Sequence, residues 1–211
     1  MKGDFALVAI IDYDAGNIMS VYKAVDHFGC DAVITRDRDE ILKADKVILP
    51  GVGAFKDAMD KLTEYNLVDV IKEVTDKGTP FLGICLGLQL LFESSEESPG
   101  VTGLNLIKGQ VKRIPDKEGL KIPHMGWNSL VIVPDSPLFK DVPNGSYVYF
   151  VHSYYLDAAD KANVAATTHY SVDIDASVHS GNIYACQFHP EKSGKVGLNI
   201  LRAFCEIPAE R

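Results

Sequence analysis

The chain is predicted to be an α/β protein, a single doubly wound, largely parallel sheet flanked by helices, with additional antiparallel strands in the C-terminal half. Three observations predict this. Through the first two-thirds, short apolar runs alternate with amphipathic stretches, the pattern of buried strands joined by crossover helices. At 211 residues and 46% hydrophobic content the chain can bury one substantial core, and one domain over 1–211 is expected. From Ile107 onward the pattern changes to short strands separated by turn residues, with no internal repeat and no low-complexity tract.

In chain order, residues 5–11 are expected as a strand, 17–28 as a helix, and 32–35 and 47–49 as strands. Residues 53–61 and 67–76 have the spacing of helices, and 81–84 form a buried strand that runs into the helix-like segment 88–93. Residues 94–100, rich in Ser and Glu, are a polar loop placed to rim whatever pocket that segment borders. Strands at 131–133, 147–151, 164–168 and 183–187 are expected to extend the sheet in antiparallel fashion, and a helix over 195–204 closes the chain.

Charge and cysteine content exclude several classes. Lys and Arg total 21 against 29 Asp and Glu, a formal charge of -8, with no basic run and no aromatic-basic interleaving, so a nucleic-acid partner is not expected. The four cysteines, Cys30, Cys85, Cys186 and Cys205, form no C-x-x-C pair, which suits a reducing compartment better than a disulfide framework or a zinc site. His27, His124, His152, His169 and His179 are scattered and read as structural or surface groups, with no metal cluster and no cofactor called for. Met1-Lys2-Gly3-Asp4-Phe5 lacks the apolar region of a signal peptide and no segment reaches membrane-spanning length, so a cytoplasmic protein is expected.

The chemistry concentrates in three segments. Gly83-Ile84-Cys85-Leu86-Gly87 follows an apolar run and precedes a helical one. It has the form of a nucleophile elbow carrying a thiol, with small residues on either side permitting a sharp strand-to-helix turn. A helix N-terminus there also favours the thiolate, the attacking species. A buried structural cysteine would satisfy this segment equally well on its own. Near the C-terminus, however, Gln187-Phe188-His189-Pro190-Glu191 offers the base and the orienting carboxylate that such a nucleophile requires, and Pro190 keeps the stretch out of a helix. Pro50-Gly51-Val52-Gly53 supplies a glycine turn after a strand, able to aim backbone N–H groups at an oxyanion; a plain strand-to-helix turn is the alternative. In a doubly wound sheet all three lie at carboxyl ends of strands, where ligands bind.

In these three segments the chain resembles the class I, or triad, glutamine amidotransferases, and the resemblance covers nearly its whole length. Within that family it is most similar to the glutaminase subunits of imidazole glycerol phosphate synthase, on Asp12-Tyr13-Asp14-Ala15-Gly16-Asn17-Ile18, Pro50-Gly51-Val52-Gly53-Ala54-Phe55, Pro123-His124-Met125-Gly126-Trp127-Asn128, Tyr149-Phe150-Val151-His152-Ser153-Tyr154 and Gln187 to Ser193. The resemblance implies a flavodoxin-like domain in which Cys85 attacks the amide of glutamine, His189 moves the proton and Glu191 holds the imidazole. It implies an oxyanion site at the N–H groups of Gly53 and Leu86; separately, the glycines flanking Val52 suit a peptide that reorients to complete that site. It also implies glutamine contacts at Gln89, Glu97, Ser153 and Tyr154, and a partner interface or ammonia route at Asn17, Trp127, Tyr149 and Lys192. The implied partner is a separate (β/α)8 barrel cyclase, in a heterodimer that receives the ammonia. A glutaminase subunit for an anthranilate-type or aminodeoxychorismate-type synthase is the alternative. Two departures from the family pattern stand out, Asp14 where Gly is usual and Ser153 where Thr is common.

Overall fold

The computed structural model describes residues 6–14 and 16–209. Residues 1–5, including the expected strand start at Phe5, and Ala15 of the first motif lie outside that description. The first half alternates as expected, with a short helix α2 that was not: β1 (Leu7–Ile11), α1 (Ile18–Asp26), β2 (Asp31–Thr35), α2 (Arg38–Lys43), β3 (Lys46–Gly51), α3 (Phe55–Glu64), α4 (Leu67–Asp76), β4 (Phe81–Cys85) and α5 (Leu86–Leu90). The second half runs through β5 (Ser94–Ser95), β6 (Gly109–Arg113), β7 (His124–Ser129), β8 (Val131–Ile132), β9 (Tyr147–His152), β10 (Tyr154–Ala158), β11 (Val164–Tyr170), β12 (Val172–Ser180), β13 (Ile183–Cys186) and α6 (Gly194–Glu206).

The main sheet has the order β2-β1-β3-β4-β13-β12-β11-β8. Its first five strands are mutually parallel and its last three antiparallel. The parallel order is the flavodoxin-like one. Strand faces alternate and divide the interior into two cores. Val8, Ile10, Ile48, Leu82 and Ile84 pack with Val21 and Val25 of α1 and Ile200, Leu201 and Phe204 of α6. Ala9, Ile11, Val47, Leu49 and Phe81 pack with Phe55 and Leu62 of α3 and Val70, Ile71 and Val74 of α4. Helix α4 buries Leu67, Val70, Ile71 and Val74, one stripe at helical spacing.

Five expectations need correction. Strand β13 is parallel to β4 and antiparallel only to β12; it is buried along its whole length because it lies in the interior of the sheet. Strand β9 does not extend the main sheet but pairs antiparallel with β7 in a two-stranded ribbon, and β10, β6 and β5 make a third sheet. The segment after Cys85 becomes helical at Leu86 and leaves the helix at Leu91, earlier than the apolar run 88–93 indicates. Residues 94–100 are not wholly a loop, since Ser94 and Ser95 pair with β6. Helix α3 begins at Phe55 because Gly53 has φ of 102° and Ala54 is extended.

Candidate active site

Cys85 is the junction of β4 and α5, and its backbone carries the turn itself. Its φ of 55° and ψ of -108° lie outside the regions an L-residue ordinarily occupies, a strain of about 1–3 kcal/mol held by the surrounding packing. The neighbouring glycines serve a purpose other than the expected conformational freedom. Neither Gly83 nor Gly87 has a positive φ; a Cβ on Gly87 would lie 1.9 Å from the Leu49 carbonyl oxygen, and one on Gly83 2.8 Å from that of Gly87. They let α5 lie directly on the sheet, which brings the thiol to the carboxyl ends of β3 and β4. Helix α5 has only five residues, so its dipole is small and the thiol depends on side-chain neighbours.

Those neighbours come from the far end of the chain. His189 follows β13, and Pro190–Lys192 is a single 3-10 turn rather than the non-helical stretch expected, with Pro190 at its first position, where a missing N–H does no harm. The turn is tied to β9: the His189 N–H donates to the Tyr149 carbonyl (2.9 Å), the Tyr149 N–H to Ser193 Oγ (2.9 Å), and Ser193 Oγ–H to the His189 carbonyl (2.6 Å). His189 Nδ1 is 2.8 Å from Glu191 Oε1, with both side chains almost wholly buried. The Asn17 amide donates to the same oxygen at 2.6 Å. His189 Nε2 and Glu191 Oε2 have no geometric hydrogen-bond partner.

Burial alone would lower the His189 pKa; the nearby Cys85 sulfur, and the hydrogen bond and charge of Glu191, outweigh it and raise the group from 6.5 to about 9. Cys186, adjacent in space and wholly buried, has its pKa pushed well up by burial and by the charges of Glu191 and Cys85, so it is the inert thiol of the two.

A cavity of about 410 Å³ opens over the thiol, ample for an amino-acid-sized ligand. Val52, Gly53, Leu86, Gln89, Glu97, Ser153, Tyr154, Cys85 and His189 all line it, so nine candidate residues from separate parts of the chain meet at one place. Gln89 spends both amide hydrogens inside the protein, on the Tyr154 carbonyl (3.1 Å) and Gln187 Oε1 (3.0 Å), leaving its oxygen for a ligand. Glu97 accepts the Phe55 N–H at 2.8 Å, which caps α3 and holds the carboxylate at the cavity wall. Glu191 and Asn17 lie behind His189 instead of in the cavity, in a crevice shared with Gly16 and Val52.

Of the remaining candidates, Trp127 and Tyr149 face each other across β7 and β9 with ring centroids 6.1 Å apart, and Lys192 is exposed. Trp127 is 55% exposed, which excludes a core role. Sequence reasoning missed two groups. His152 lines the cavity, contrary to the structural or surface reading. Gln187, fully buried, donates from Nε2 to Cys85 Sγ at 3.7 Å; its place two residues before His189 was the available signal.

This geometry, a thiol beside an imidazole oriented by a carboxylate in a walled cavity, is that of nucleophilic acyl transfer. Comparison with known proteins agrees. The profile of the family described as "Glutamine amidotransferase class-I" matches residues 9–207. The chain belongs to the class I glutamine amidotransferases. Among curated members of the family, it is 49% identical over 201 residues to the imidazole glycerol phosphate synthase subunit HisH of Listeria monocytogenes serotype 4b, covering 95% of this chain and 96% of that one. It is 50% identical over 200 residues to the HisH subunit of Moorella thermoacetica, covering 95% and 94%. Among solved structures, a glutamine amidotransferase superposes with a TM-score of 0.74 at 18% identity, covering 94% of this chain and 97% of that one. A chain of PurLQS from Thermotoga maritima superposes with a TM-score of 0.73 at 20% identity, covering 95% and 97%. At such identities these two likenesses concern the fold.

The departure at Asp14 from this amidotransferase family's usual Gly also has a physical account. Asp14 has φ of 65°, a conformation glycine adopts freely and Asp tolerates. Its carboxylate is held by Arg36 Nη2 at 2.7 Å and by the Tyr65 hydroxyl, which keep its pKa below the usual carboxylate range.

Proposed function

We propose that this amidotransferase is the glutaminase subunit of an imidazole glycerol phosphate synthase. The observation that carries the chemistry is the convergence of Cys85 and His189, from two segments about a hundred residues apart, on one amino-acid-sized cavity, with Glu191 bonded to His189 from behind. The curated relatives at 49–50% identity support the choice of synthase.

In this reading the Cys85 sulfur attacks the side-chain carbonyl carbon of glutamine. The oxygen takes up negative charge beside the N–H groups of Gly53 and Leu86, each donor contributing ~10²–10³ in rate. His189 gives its proton to the departing nitrogen, ammonia leaves, and a glutamyl thioester remains. Water then attacks the thioester while His189 accepts its proton, and glutamate and the free thiol are released. Glu191 holds the imidazole throughout. Gln89 offers its oxygen and Glu97 its carboxylate to the substrate ammonium, while Ser153 and Tyr154 supply the opposite wall. Val52, 38% exposed between two glycines, is the peptide whose rotation completes the oxyanion site when the partner docks.

Ammonia freed into water is protonated and lost as a nucleophile, so the product needs a direct route to a second active site. The partner in this reading is a (β/α)8 barrel cyclase in a heterodimer, whose chemistry yields imidazole glycerol phosphate and AICAR. The ribbon supports this: Met125 and Tyr147 are 63% and 58% exposed on the same face as Trp127 and Tyr149, close to Lys192. Among the described residues no helix is long and apolar enough to cross a membrane, and a cytoplasmic location belongs to the same reading.

The test is glutamate release from glutamine by the chain alone and with the cyclase and its nucleotide ligand. Strong activation by the cyclase is expected; equal, slow release with and without it would overturn the choice of partner. In the complex, Cys85→Ala is expected to abolish glutamine-dependent synthesis and to leave ammonia-dependent synthesis intact.

A further inference from the structure

Two buried histidines outside the triad donate in series onto the Tyr154 carbonyl, an acceptor they share with Gln89 of the cavity wall. His124 Nδ1 and His152 Nε2 are 3.0 Å apart, and His152 Nδ1 is 2.9 Å from the Tyr154 carbonyl oxygen. A carbonyl only accepts, so His152 carries its proton on Nδ1, its Nε2 must accept, and His124 must donate from Nδ1. The opposite end gives the same answer independently. Asn128 Oδ1 accepts the Ser129 N–H at 2.9 Å, and Asn128 Nδ2 donates to the His169 carbonyl at 3.0 Å and faces His124 Nε2 at 3.5 Å. His124 Nε2 is therefore an acceptor and its proton is again on Nδ1.

Both rings are thereby held neutral. An added proton on His152 Nε2 would face the His124 N–H, and a flipped His124 would set its own N–H against the Asn128 amide. Burial lowers the His124 pKa to about 4. Burial, with the His124 and His189 rings nearby, lowers His152 to about 3 despite its bond to the Tyr154 carbonyl. The titratable neighbours of the pair are His189 and Tyr170, whose ring stacks on His124 at 3.9 Å opposite Phe150 at 4.8 Å.

The Tyr154 carbonyl that accepts from His152 also accepts from Gln89, and Gln89 donates on to Gln187, whose amide reaches Cys85 Sγ at 3.7 Å. We propose that His124 and His152 are positioning residues for the thiol and for bound glutamine. They brace the Tyr154 carbonyl from one side, and Gln89, donating to that carbonyl from the other, is held with its oxygen toward the cavity and its second N–H on Gln187 beside the sulfur. The series begins on β7, the strand that bears Trp127, so the same ribbon joins the proposed partner face to the cavity wall.

The role assigned here rests on the glutaminase reading, whereas its structural half is tested without turnover. In the 15N-histidine-labelled full chain, with His124 and His152 assigned by single substitution, both rings are expected to be neutral and protonated on Nδ1 from pH 8 to pH 5. An Nε2–H tautomer for either ring, or protonation at pH 6, would overturn the proposal. In the complex with the cyclase, His124→Phe keeps the stack but removes the donor, and is expected to lower kcat/KM for glutamine about tenfold. His124→Asn, whose amide nitrogen takes the place of Nδ1, is expected to remain within about threefold of the parent. Equal losses in both variants, or none in either, would reject a positioning role. A parent complex that released no glutamate would refute the glutaminase reading, and the tautomers would still decide this one.

Discussion

Asn17 and Glu191 are 174 residues apart in sequence and joined by a 2.6 Å hydrogen bond, and Asn17 shares with His189 a single carboxylate oxygen. The first loop therefore reaches the His189–Glu191 pair from behind. Gly16 in that loop also abuts Val52, since a Cβ on it would lie 3.3 Å from Val52 Cγ2. One short segment thus touches both the Glu191 carboxylate and the Val52 turn, and Asn17, expected at the interface or the ammonia route, is also a hydrogen-bond partner of Glu191.

Removing that bond is expected to loosen Glu191 and, with it, the His189 ring. Asn17→Ala should lower kcat about tenfold with little change in KM, because hydrogen bonds to buried charged groups are the stronger kind. Asn17→Asp should be worse, as it sets a second carboxylate against the first. Steady-state kinetics of the complex checks both, and an unchanged kcat in Asn17→Ala would remove Asn17 from the machinery.

The His189 pKa, raised from 6.5 to about 9, sets a pH dependence whose sign is definite. Because the folded value lies above the unfolded one, the ion-pair stabilisation is fully present below pH 6.5 and is lost as pH rises through about 9. Glu191→Gln removes one of the two charges that oppose burial. The basic limb of kcat/KM should then move from near pH 9 toward neutrality, with activity lost first on the alkaline side. A limb that stayed in place would mean that Cys85 alone sustains the imidazolium.

Gly87→Ala tests the packing of the elbow. The added Cβ would stand 1.9 Å from a backbone carbonyl oxygen of β3, which cannot give way as a flexible side chain does. Overpacking of this kind destabilises by about 3 kcal/mol, a fall of roughly 6–12 °C in Tm for a chain of this size. Gly119→Ala, in open space but at φ of 82°, should fall by much less, and comparing the two melting curves separates a clash from conformational strain.

Trp127→Ala addresses the partner face. With 55% of its surface exposed, Trp127 contributes little to the core, so the variant should keep the parent's Tm. Its affinity for the cyclase should fall about tenfold or more, since a large exposed aromatic is a typical binding anchor. Titration calorimetry against the purified cyclase measures this, and an unchanged Kd would place the interface elsewhere.

Much of this molecule is written locally. The strands β1, β3 and β4 are continuous apolar runs because both faces are covered, and α4 shows its stripe at helical spacing; such signals need no knowledge of the rest of the chain. The three chemical segments were legible for the same reason, each being a short motif at a strand end. Strand β7 was missed because its alternation is reversed: His124 and Asn128 turn inward while Met125 and Trp127 turn to solvent, so a rule that places apolar residues inside reads it as nothing.

What the sequence determined by itself was the α/β class, most elements of the first half, and the candidate nucleophile, base and carboxylate. Only the tertiary structure decided that β13 enters beside β4, which delivers His189 to Cys85, and that Asn17, Gln187 and His152 join them. The reason is physical. Periodicity and turn chemistry act over a few neighbouring residues, whereas strand order and buried hydrogen-bond partners are set by which distant surfaces can be dehydrated together with every polar group satisfied.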